Sequence, residues 1–299
     1  MKKSNQKGIF LALLAAALYA VNIPFSKLLL SHIPPTISAG LLYLGAGLSM
    51  AIIAPLRKIK GRAKTEKFTR KELPYTIAMI LLDVAAPIFL LFGIKYTEAA
   101  NASLLNNFEI VATALIALCV FKEKISTRLW FGILFVTASC ILLTVGDVNG
   151  IKFNFGSLFI LASCVCWGLE NNCTRKLSNK DPLQIVLLKG VFSGTTSLLI
   201  GFIIGEKITV LWSVFAMLGV GIVAYGLSIF FYVHAQRLVG AARTSVYYAI
   251  APFISATLSI IIFNKFPHYT YCIALFVMII GAYLCSDDKP LFKKKKQTN

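Results

Sequence analysis

The sequence predicts an all-α membrane protein with ten transmembrane helices arranged as two inverted five-helix repeats. The 299 residues are 58% hydrophobic and 14% charged, with a mean hydropathy of +0.77, whereas a soluble domain carries about 25% charged residues. Each of ten apolar segments approaches the roughly 20 residues that a helix needs to cross a bilayer. These segments are residues 8–30, 36–56, 73–95, 99–121, 128–146, 155–176, 183–205, 211–234, 241–263 and 269–285.

Two stretches in the first half of the chain recur in the second half, and this duplication predicts the repeats. Residues 99–124 recur in weakened form at 241–265, and residues 8–30 recur at 156–178. Because each copy contains an odd number of segments, the two copies cross the membrane in opposite directions. Inverted repeats of this kind are common in alternating-access transporters, with the substrate site near the midplane between them.

The duplication divides the chain into three regions. Residues 1–146 form the first repeat, which includes a polar cytoplasmic loop at 57–72, and residues 147–286 form the second repeat. A basic cytoplasmic tail follows at 287–299. The first apolar segment has the flanking charges of a signal peptide, but it is too long for the apolar region of one. We therefore expect a retained helix.

The net charge of +18 is distributed as membrane topology requires. If the N-terminus is cytoplasmic, 24 of the 30 lysines and arginines lie in cytoplasmic segments, 5 lie on the opposite side and Lys189 lies within a span. This asymmetry follows the positive-inside rule and predicts that both termini are cytoplasmic. The basic residues therefore indicate a multi-pass protein of the plasma (inner) membrane in contact with anionic lipid, and not a nucleic-acid-binding protein.

Three prolines inside apolar segments predict local kinks. A proline removes the helical hydrogen bond to the carbonyl four residues earlier. Pro24, Pro87 and Pro252 therefore free the carbonyls of Ala20, Asp83 and Tyr248. A free carbonyl beside the carboxylate of Asp83 suits a cation or proton site, although proline kinks in membrane helices also occur for shape alone.

The carboxylates near the centres of apolar segments are the main candidates for function. Asp83 lies in segment 73–95, and Glu109 lies in segment 99–121, where it shares a helix face with Asn106 and Thr113. Charged side chains at this depth are costly and usually functional. An ionised carboxylate there needs a partner or must stay protonated, so we expect Glu109 either to bind a cationic part of the substrate or to carry a proton.

Two charged residues of the second half have alternative interpretations. Glu170, which follows Trp167 in segment 155–176, either faces the interior or pairs locally with Arg175 or Lys176 at the helix end. Lys189 either extends to the cytoplasmic surface or faces the interior and pairs with Glu170 or Glu109. In the same helix as Lys189, the glycines of Gly190-Val-Phe-Ser-Gly194 and Gly201-Phe-Ile-Ile-Gly205 indicate close helix packing.

Motifs of enzymes, phosphate loops and metal sites are missing from the sequence. There is no His-Glu-x-x-His, Gly-x-Ser-x-Gly, Gly-x-x-x-x-Gly-Lys-Ser/Thr or Cys-x-x-Cys pattern. We therefore expect no catalytic residues, no bound metal and no cofactor. A membrane-embedded enzyme or sensor is the least favoured interpretation.

The fourth apolar segment has an ending that resembles a known family. Its alanine-rich start at 99–102 leads to a long apolar run that closes on Phe121-Lys122-Glu123-Lys124, and Gly132 follows in the fifth segment. In the second half, Ala241-Ala242, Ala251-Pro252 and Gly281 correspond, although Asn264 stands where the closing glutamate is expected. On these positions, the chain resembles the drug/metabolite transporter superfamily, in particular its EamA-type branch.

The resemblance implies a transporter with a central cavity lined by the first, third, fourth, sixth, eighth and ninth helices. Its members generally export or exchange small metabolites, often amino acids. Together with the polar and aromatic residues singled out from the sequence, it yields nine candidate site residues. They are Tyr19, Asn22, Asp83, Asn106, Glu109, Trp167, Glu170, Tyr225 and Tyr248.

The sequence therefore predicts a secondary transporter that moves small polar or zwitterionic, amino-acid-like metabolites outward by alternating access, with Asp83 or Glu109 as the candidates for coupling to protons. The partners expected are the substrate, membrane lipid and protons, with a monomer or a homodimer as the functional unit. An uncoupled facilitator or exchanger of the same fold, or an exporter of cationic drugs, remains open as an alternative. The three acidic candidates, Asp83, Glu109 and Glu170, favour cationic or zwitterionic ligands in the predicted cavity.

Overall fold

The computed structural model describes a helical bundle. The residues it describes are 2–59, 68–122, 125–145, 154–177, 180–239, 244, 247–265 and 269–285, and across these ranges the regular structure is helical, with no strand. The closing Glu123 of the fourth segment, Ala241-Ala242 and the basic tail at 287–299 lie outside the described residues, as does the central part of the 57–72 loop.

The first half of the bundle contains seven helices up to residue 145, because two of its apolar segments are each divided into two helices. They are α1 (Lys2–Ala20), α2 (Asn22–Leu29), α3 (Pro35–Ile59), α4 (Leu73–Tyr96), α5 (Ala99–Leu105), α6 (Phe108–Cys119) and α7 (Thr127–Val145). The divisions fall at Val21 and at Asn106-Asn107, so α1 with α2 and α5 with α6 each form one broken span.

The second half contains α-helices that are interrupted by two π-helical segments, in which the backbone widens locally. The α-helices are α8 (Phe155–Lys176), α9 (Pro182–Leu188), α10 (Gly194–Ile203), α11 (Leu211–Val220), α12 (Ser228–Val239), α13 (Ala251–Phe263) and α14 (Tyr269–Cys285). The π segments are Lys189–Ser193, between α9 and α10, and Gly221–Leu227, between α11 and α12.

Seven helical stretches among the described residues are long and apolar enough to cross a membrane. They are Gln6–Leu29, Pro35–Ala54, Leu73–Tyr96, Ala99–Cys119, Thr127–Thr144, Leu183–Ile203 and Leu211–Ala235. The other three segments predicted from the sequence are also helical in part: α8 is long but carries charged residues, and α13 and α14 are shorter apolar helices. The structure is therefore an all-helical, multi-pass membrane protein.

The two halves of the chain, before residue 146 and after residue 154, pack against each other through several pairs of helices. α1 packs on α12, and α4 packs on α8. α3 packs on α10, α11 and both π segments, α5 packs on α13, and α7 packs on α14. The main core of buried apolar residues spans both halves and includes Leu42 and Leu105 from the first with Met217 and Met278 from the second. The two halves therefore fold against each other as one body.

Glycines permit the closest of these approaches between the halves. A Cβ atom added to Gly47 would lie 3.1 Å from the carbonyl carbon of Gly190, so α3 and the π segment touch backbone to backbone. Gly132 faces Gly281 and Cys285 in the same way, where α7 crosses α14. Gly190, Gly194 and Gly201 pack closely, as their spacing predicts.

Gly205 was expected to be a fourth packing glycine, and that expectation is wrong. It lies past the end of α10 with φ +83°, and a Cβ atom there would meet nothing within 4 Å. Its backbone N–H donates to the Phe202 carbonyl (3.1 Å), and the N–H of Glu206 donates to the Gly201 carbonyl (2.9 Å). Gly205 therefore ends the helix, because glycine adopts the left-handed conformation without strain.

Charged side chains stabilise two helix ends on the side of the bundle opposite the N-terminus. Lys27 donates to the last carbonyls of α4, at Ile94, Lys95 (3.0 Å) and Thr97 (2.8 Å). Glu206 accepts from the first backbone N–H groups of α3, at Thr36 (3.2 Å) and Ile37 (2.9 Å). Both interactions match the charge of the side chain to the dipole of the helix.

Candidate functional site

A cavity of about 290 Å³ lies between the two halves of the bundle, near the middle of the long helices. Asp83, one of its lining residues, is the eleventh residue of the 24-residue helix α4. The polar and aromatic residues that line the cavity come from both halves. They are Tyr19, Tyr43, Asp83, Asn106, Asn107, Glu109, Trp167, Glu170, Asn171, Lys189, Tyr225 and Tyr248.

Irregular helical backbone borders the cavity. The break between α5 and α6 contributes Asn106 and Asn107, and the turn before α13 contributes Ala249. The two π segments contribute Lys189 and Tyr225, with neighbouring residues. Non-helical backbone at membrane depth is tolerated where it lines a cavity, and π-helical turns are frequent at functional sites.

The break between α5 and α6 has a local cause in the paired asparagines. The side-chain amide of Asn107 donates to the Leu104 carbonyl (3.2 Å) and so competes with the backbone for that carbonyl. The backbone N–H of Asn107 also donates to Leu104 (3.0 Å), in a tighter turn than an α-helix makes. The Cys164 thiol contacts the carbonyls of Leu105 and Asn106 (both 3.7 Å), and the Asn106 carbonyl also accepts from the backbone N–H of Glu109 (3.2 Å), again in a tighter turn than an α-helix makes.

The prolines interrupt two of the three helices in which kinks were predicted. α1 and α2 divide at Val21, three residues before Pro24, and a turn at 249–250 precedes Pro252 in α13. α4 instead continues as a helix past Pro87. The break at Asn106-Asn107 contains no proline, so the proline pattern could not predict it.

The cavity wall includes an ion-paired cluster of two carboxylates and one lysine. The ammonium nitrogen (Nζ) of Lys189 lies 2.5 Å from Glu170 Oε1 and 3.2 Å from Asp83 Oδ2. Asp83 and Glu170 are almost fully buried, and 16% of the Lys189 side chain is exposed. The alternative in which Lys189 extends to the surface is therefore wrong. The predicted pairing of Lys189 with Glu170 is confirmed, and its second partner is Asp83 and not Glu109.

Further hydrogen bonds hold the two carboxylates in place. The Tyr43 hydroxyl donates to Asp83 Oδ1 (2.7 Å) and accepts from the indole N–H of Trp167 (3.4 Å). The Thr174 hydroxyl donates to Glu170 Oε1. Asp83 Oδ2, in contrast, accepts no hydrogen bond from the described residues, and its contact with Lys189 is electrostatic. The cluster joins α3, α4, α8 and the first π segment.

Glu109 occupies a separate part of the cavity and has a neutral partner. The side-chain amide of Asn171 donates to Glu109 Oε1 (2.8 Å) and contacts the Thr113 hydroxyl (3.4 Å). Glu109 lies in the first turn of α6, where the dipole of the helix favours a negative charge. The break after Asn106 therefore places a helix N-terminus beside this carboxylate, as in transporters that bind ions at broken helices.

Aromatic rings cover much of the remaining cavity surface. The ring of Tyr19 lies 6.0 Å from that of Tyr225 and 5.8 Å from that of Tyr248. The rings of Tyr43 and Tyr225 are 5.4 Å apart. Such rings present electron-rich faces that attract organic cations.

The cavity is closed toward the side of the bundle where Lys27 lies. The side-chain amide of Asn22 donates to the Tyr225 hydroxyl (3.2 Å), and the amide of Asn106 donates to the Tyr19 hydroxyl (3.5 Å). Further along, the hydroxyls of Ser103 on α5 and Ser255 on α13 are 3.0 Å apart and fully or almost fully buried. The Asn22–Tyr225 and Ser103–Ser255 contacts join the two halves on this side of the cavity, and the Asn106–Tyr19 contact lies within the first half.

The structure brings eight of the nine candidate residues to the cavity wall, and the ninth, Asn22, contacts the wall through Tyr225. Their role in transport stays a prediction. Sequence reasoning did not select Tyr43 or Asn171, although each contacts a candidate carboxylate. Asn171 adjoins Glu170 in a polar run that could have indicated it, whereas Tyr43 lies in an apolar helix with no comparable signal.

A charged cavity between the halves of an apolar helical bundle is the kind of site that membrane transporters use. The sequence matches the EamA-like transporter family over residues 6–145 and 154–286. The chain therefore belongs to the EamA-like transporter family, and it is a membrane transporter and not an enzyme.

Curated relatives agree with this assignment, and a solved structure shares the fold. The chain is 25% identical over 292 residues to an uncharacterized transporter of Methanothermobacter thermautotrophicus, covering 93% of this chain and 85% of that protein. It is 20% identical to the uncharacterized transporter YyaM of Bacillus subtilis, covering 84% and 85%. A protein of known crystal structure, 18% identical, has the same fold with a TM-score of 0.65 and coverage of 94% and 95%.

Proposed function

We propose that this protein is a secondary transporter that exports small polar or zwitterionic, amino-acid-like metabolites by alternating access. The observation that carries the proposal is the cavity itself, where charged side chains from both halves converge at the middle of an apolar bundle. Its volume of about 290 Å³ is at the lower limit of ligand pockets, which favours a small metabolite over a large drug.

The packing of the bundle supports ten helices in two inverted repeats. If helices one to five correspond to six to ten, the contact of α1 with α12 is equivalent to that of α8 with α4. The contacts of α3 with α10, of α5 with α13 and of α7 with α14 each join a helix of one repeat to its own counterpart in the other repeat. Exchanging the two repeats therefore leaves these contacts unchanged. The separate family matches at 6–145 and 154–286 support the same division into repeats. Alternating access would then follow from rocking of one repeat against the other.

Within the cavity, Glu109 is a better candidate for the proton carrier than Asp83. Asp83 lies beside the Lys189 ammonium, so its protonation would leave that cation with one carboxylate in place of two. The described donor to Glu109 is the neutral amide of Asn171, and a protonated carboxyl group keeps an oxygen that can accept this hydrogen bond. Protonation of Glu109 therefore breaks no ion pair among the described residues.

Flux through proteoliposomes tests both transport and coupling. A thermal-shift screen of the purified protein against amino acids, polyamines and quaternary amines first selects a ligand, because a compound that binds the folded state raises its melting temperature. We expect an imposed pH gradient to accelerate the flux of this ligand in the wild type and not in Glu109→Gln. Equal acceleration in both proteins would contradict coupling through Glu109. Counterflow without any gradient distinguishes an uncoupled exchanger, the main alternative.

A cross-link between Ser103 and Ser255 tests alternating access. The two hydroxyls are 3.0 Å apart in the closed half of the bundle, so cysteines at these positions are close enough to form a disulfide. We expect oxidation of Ser103→Cys/Ser255→Cys to stop flux and a reductant to restore it, while the single variants stay active. Full flux through the oxidised double variant would exclude opening at this seam.

Distribution of the basic residues supports a plasma-membrane protein with both termini in the cytoplasm. Lys27, Lys95 and Lys265 then lie on the outer side, where the cavity is closed. Lys207→Cys tests the orientation, because Lys207 is an exposed residue of the predicted outer side. We expect this cysteine to react with a membrane-impermeant thiol reagent in whole cells. We expect a cysteine at Arg70, which is exposed on the predicted cytoplasmic side, to be protected in the same cells.

A further inference from the structure

The ion pair of Lys189 differs from a buried structural salt bridge in its position. Both of its carboxylate partners and the lysine itself line the cavity, and the lysine is 16% exposed. A salt bridge that only stabilises the fold needs no open space beside it. The lysine therefore occupies part of the volume that a bound substrate would enter.

The charges of the lining residues show what kind of group the cavity attracts. Asp83, Glu109 and Glu170 contribute three carboxylates, and Lys189 contributes one ammonium group, among the described lining residues. Lys189 neutralises only part of the negative charge of Asp83 and Glu170, which both lie within 3.2 Å of it. An anionic substrate group would therefore meet excess negative charge, whereas a cationic group would be attracted.

Two features indicate that Lys189 can leave its partners. Its Nζ atom lies 3.2 Å from Asp83 Oδ2 but 2.5 Å from Glu170 Oε1, so one of the two attachments is longer and weaker than the other. In addition, Lys189 begins the π-helical segment, whereas Asp83 and Glu170 lie inside the regular helices α4 and α8. The carboxylates are therefore fixed, and the ammonium group sits at the end of a flexible four-carbon stem.

We propose that Asp83 and Glu170 form a binding subsite for the cationic group of the cargo, and that Lys189 is a tethered counter-ion that occupies this subsite when cargo is absent. This inference rests on the proposed transport function and gives its substrate a chemical class, a compound with an ammonium or guanidinium group. The tethered cation keeps the two carboxylates compensated in the empty carrier. Cargo competes with Lys189 for the same oxygens and releases it into the cavity.

Displacement of Lys189 can be measured in the wild-type protein with guanidinium as the probe. Guanidinium is a small cation that matches carboxylate geometry, and it is used far below denaturing concentrations. The protein is treated with an isotope-coded acetylating reagent at mildly alkaline pH, and acetylation of each lysine is followed by mass spectrometry. We expect guanidinium to raise the acetylation of Lys189 severalfold over sodium chloride at the same ionic strength.

Lys207, whose side chain is exposed, provides the internal control for this experiment, and its acetylation should not change. A structural salt bridge predicts that Lys189 stays equally protected at every guanidinium concentration, and that result would overturn the proposal.

A second measurement uses the subsite without its tether. In Lys189→Ala the two carboxylates lack the lysine and a space opens beside them, so guanidinium should raise the melting temperature of this variant more than that of the wild type, in which it must first displace Lys189. The matched control is Lys189→Ala/Glu170→Gln, which should lose most of the gain because half of the subsite is gone. Equal shifts in the single and double variants would show that guanidinium binds elsewhere.

These measurements distinguish a failure of this inference from a failure of the proposed function. If guanidinium releases Lys189 and no metabolite flux is found, the cation subsite stands and transport of amino-acid-like compounds fails. If flux is found and Lys189 stays protected, transport stands and the tethered counter-ion is wrong.

Discussion

The two acidic regions of the cavity stabilise their buried carboxylates in different ways. Asp83 and Glu170 share a lysine, the Tyr43 hydroxyl donates to the other oxygen of Asp83, and the Thr174 hydroxyl donates to the same Glu170 oxygen that the lysine contacts. Glu109 instead accepts a hydrogen bond from a neutral amide and lies at the N-terminus of a half-helix. The first region depends on a permanent charge, whereas the second can lose its charge without leaving an unpaired ion among the described residues. This contrast is the basis for proposing cation binding in the first region and proton transfer in the second.

The comparison predicts that Lys189→Ala is the most destabilising single change in the cavity. Removing one partner of a buried ion pair leaves uncompensated charge and typically costs about 3–5 kcal/mol. Thermal unfolding of the purified protein in detergent should show a large fall in melting temperature. Lys189→Arg keeps the charge and should lose much less. A melting temperature for Lys189→Ala equal to that of the wild type would mean that the ion pair contributes nothing to stability.

Tyr43→Phe should have a smaller effect on the same region. It removes a hydrogen bond to a charged group, which is worth about 1.5–3 kcal/mol, and leaves the indole N–H of Trp167 without this acceptor. Its control is Tyr225→Phe, because the hydroxyl of Tyr225 accepts from the neutral amide of Asn22. Thermal unfolding should rank Tyr43→Phe as the less stable variant. The reverse order would remove the distinction between charged and neutral partners.

The smallest effect on stability is expected at Glu109. Glu109→Gln removes a charge but keeps an oxygen that can accept from Asn171, so the free energy of unfolding should change by less than about 1 kcal/mol. Thermal unfolding of Glu109→Gln beside Asp83→Asn measures the contrast, because Asp83→Asn removes one of the two carboxylates of Lys189. If Glu109→Gln unfolds at the lower temperature, Glu109 has a charged partner that the described residues do not show.

Sequence reasoning located the cavity residues through the cost of burying charge. Asp83 and Glu109 were selected because carboxylates are rare at the centres of apolar segments, and both line the cavity. The pairing of the charges was not predictable in the same way. Lys189 is 19 residues from Glu170 and more than 100 from Asp83, so the packing of the π segment against α4, and of α4 against α8, decides which carboxylates it meets.

The broken helices show a similar division between local and tertiary causes. Pro24 and Pro252 act through their own backbone, and the sequence predicted irregular helix near both. The break at Asn106-Asn107 arises because side chains compete for backbone groups, and Cys164 of a distant helix contacts the carbonyls that the break exposes. An asparagine pair in an apolar segment indicates polarity, but it does not show which carbonyl each side chain will bond or which helix will pack beside the break.

The account rests on protons and cargo meeting different carboxylates of one cavity, and proton movement in proteoliposomes tests this most directly. A pH-sensitive dye inside the vesicles reports proton transfer when a mixture of amino acids and polyamines is added outside. We predict a pH change with the wild type and none with Glu109→Gln, although that variant still binds a cationic ligand in thermal-shift measurements. The same proton movement in Glu109→Gln as in the wild type would contradict the account.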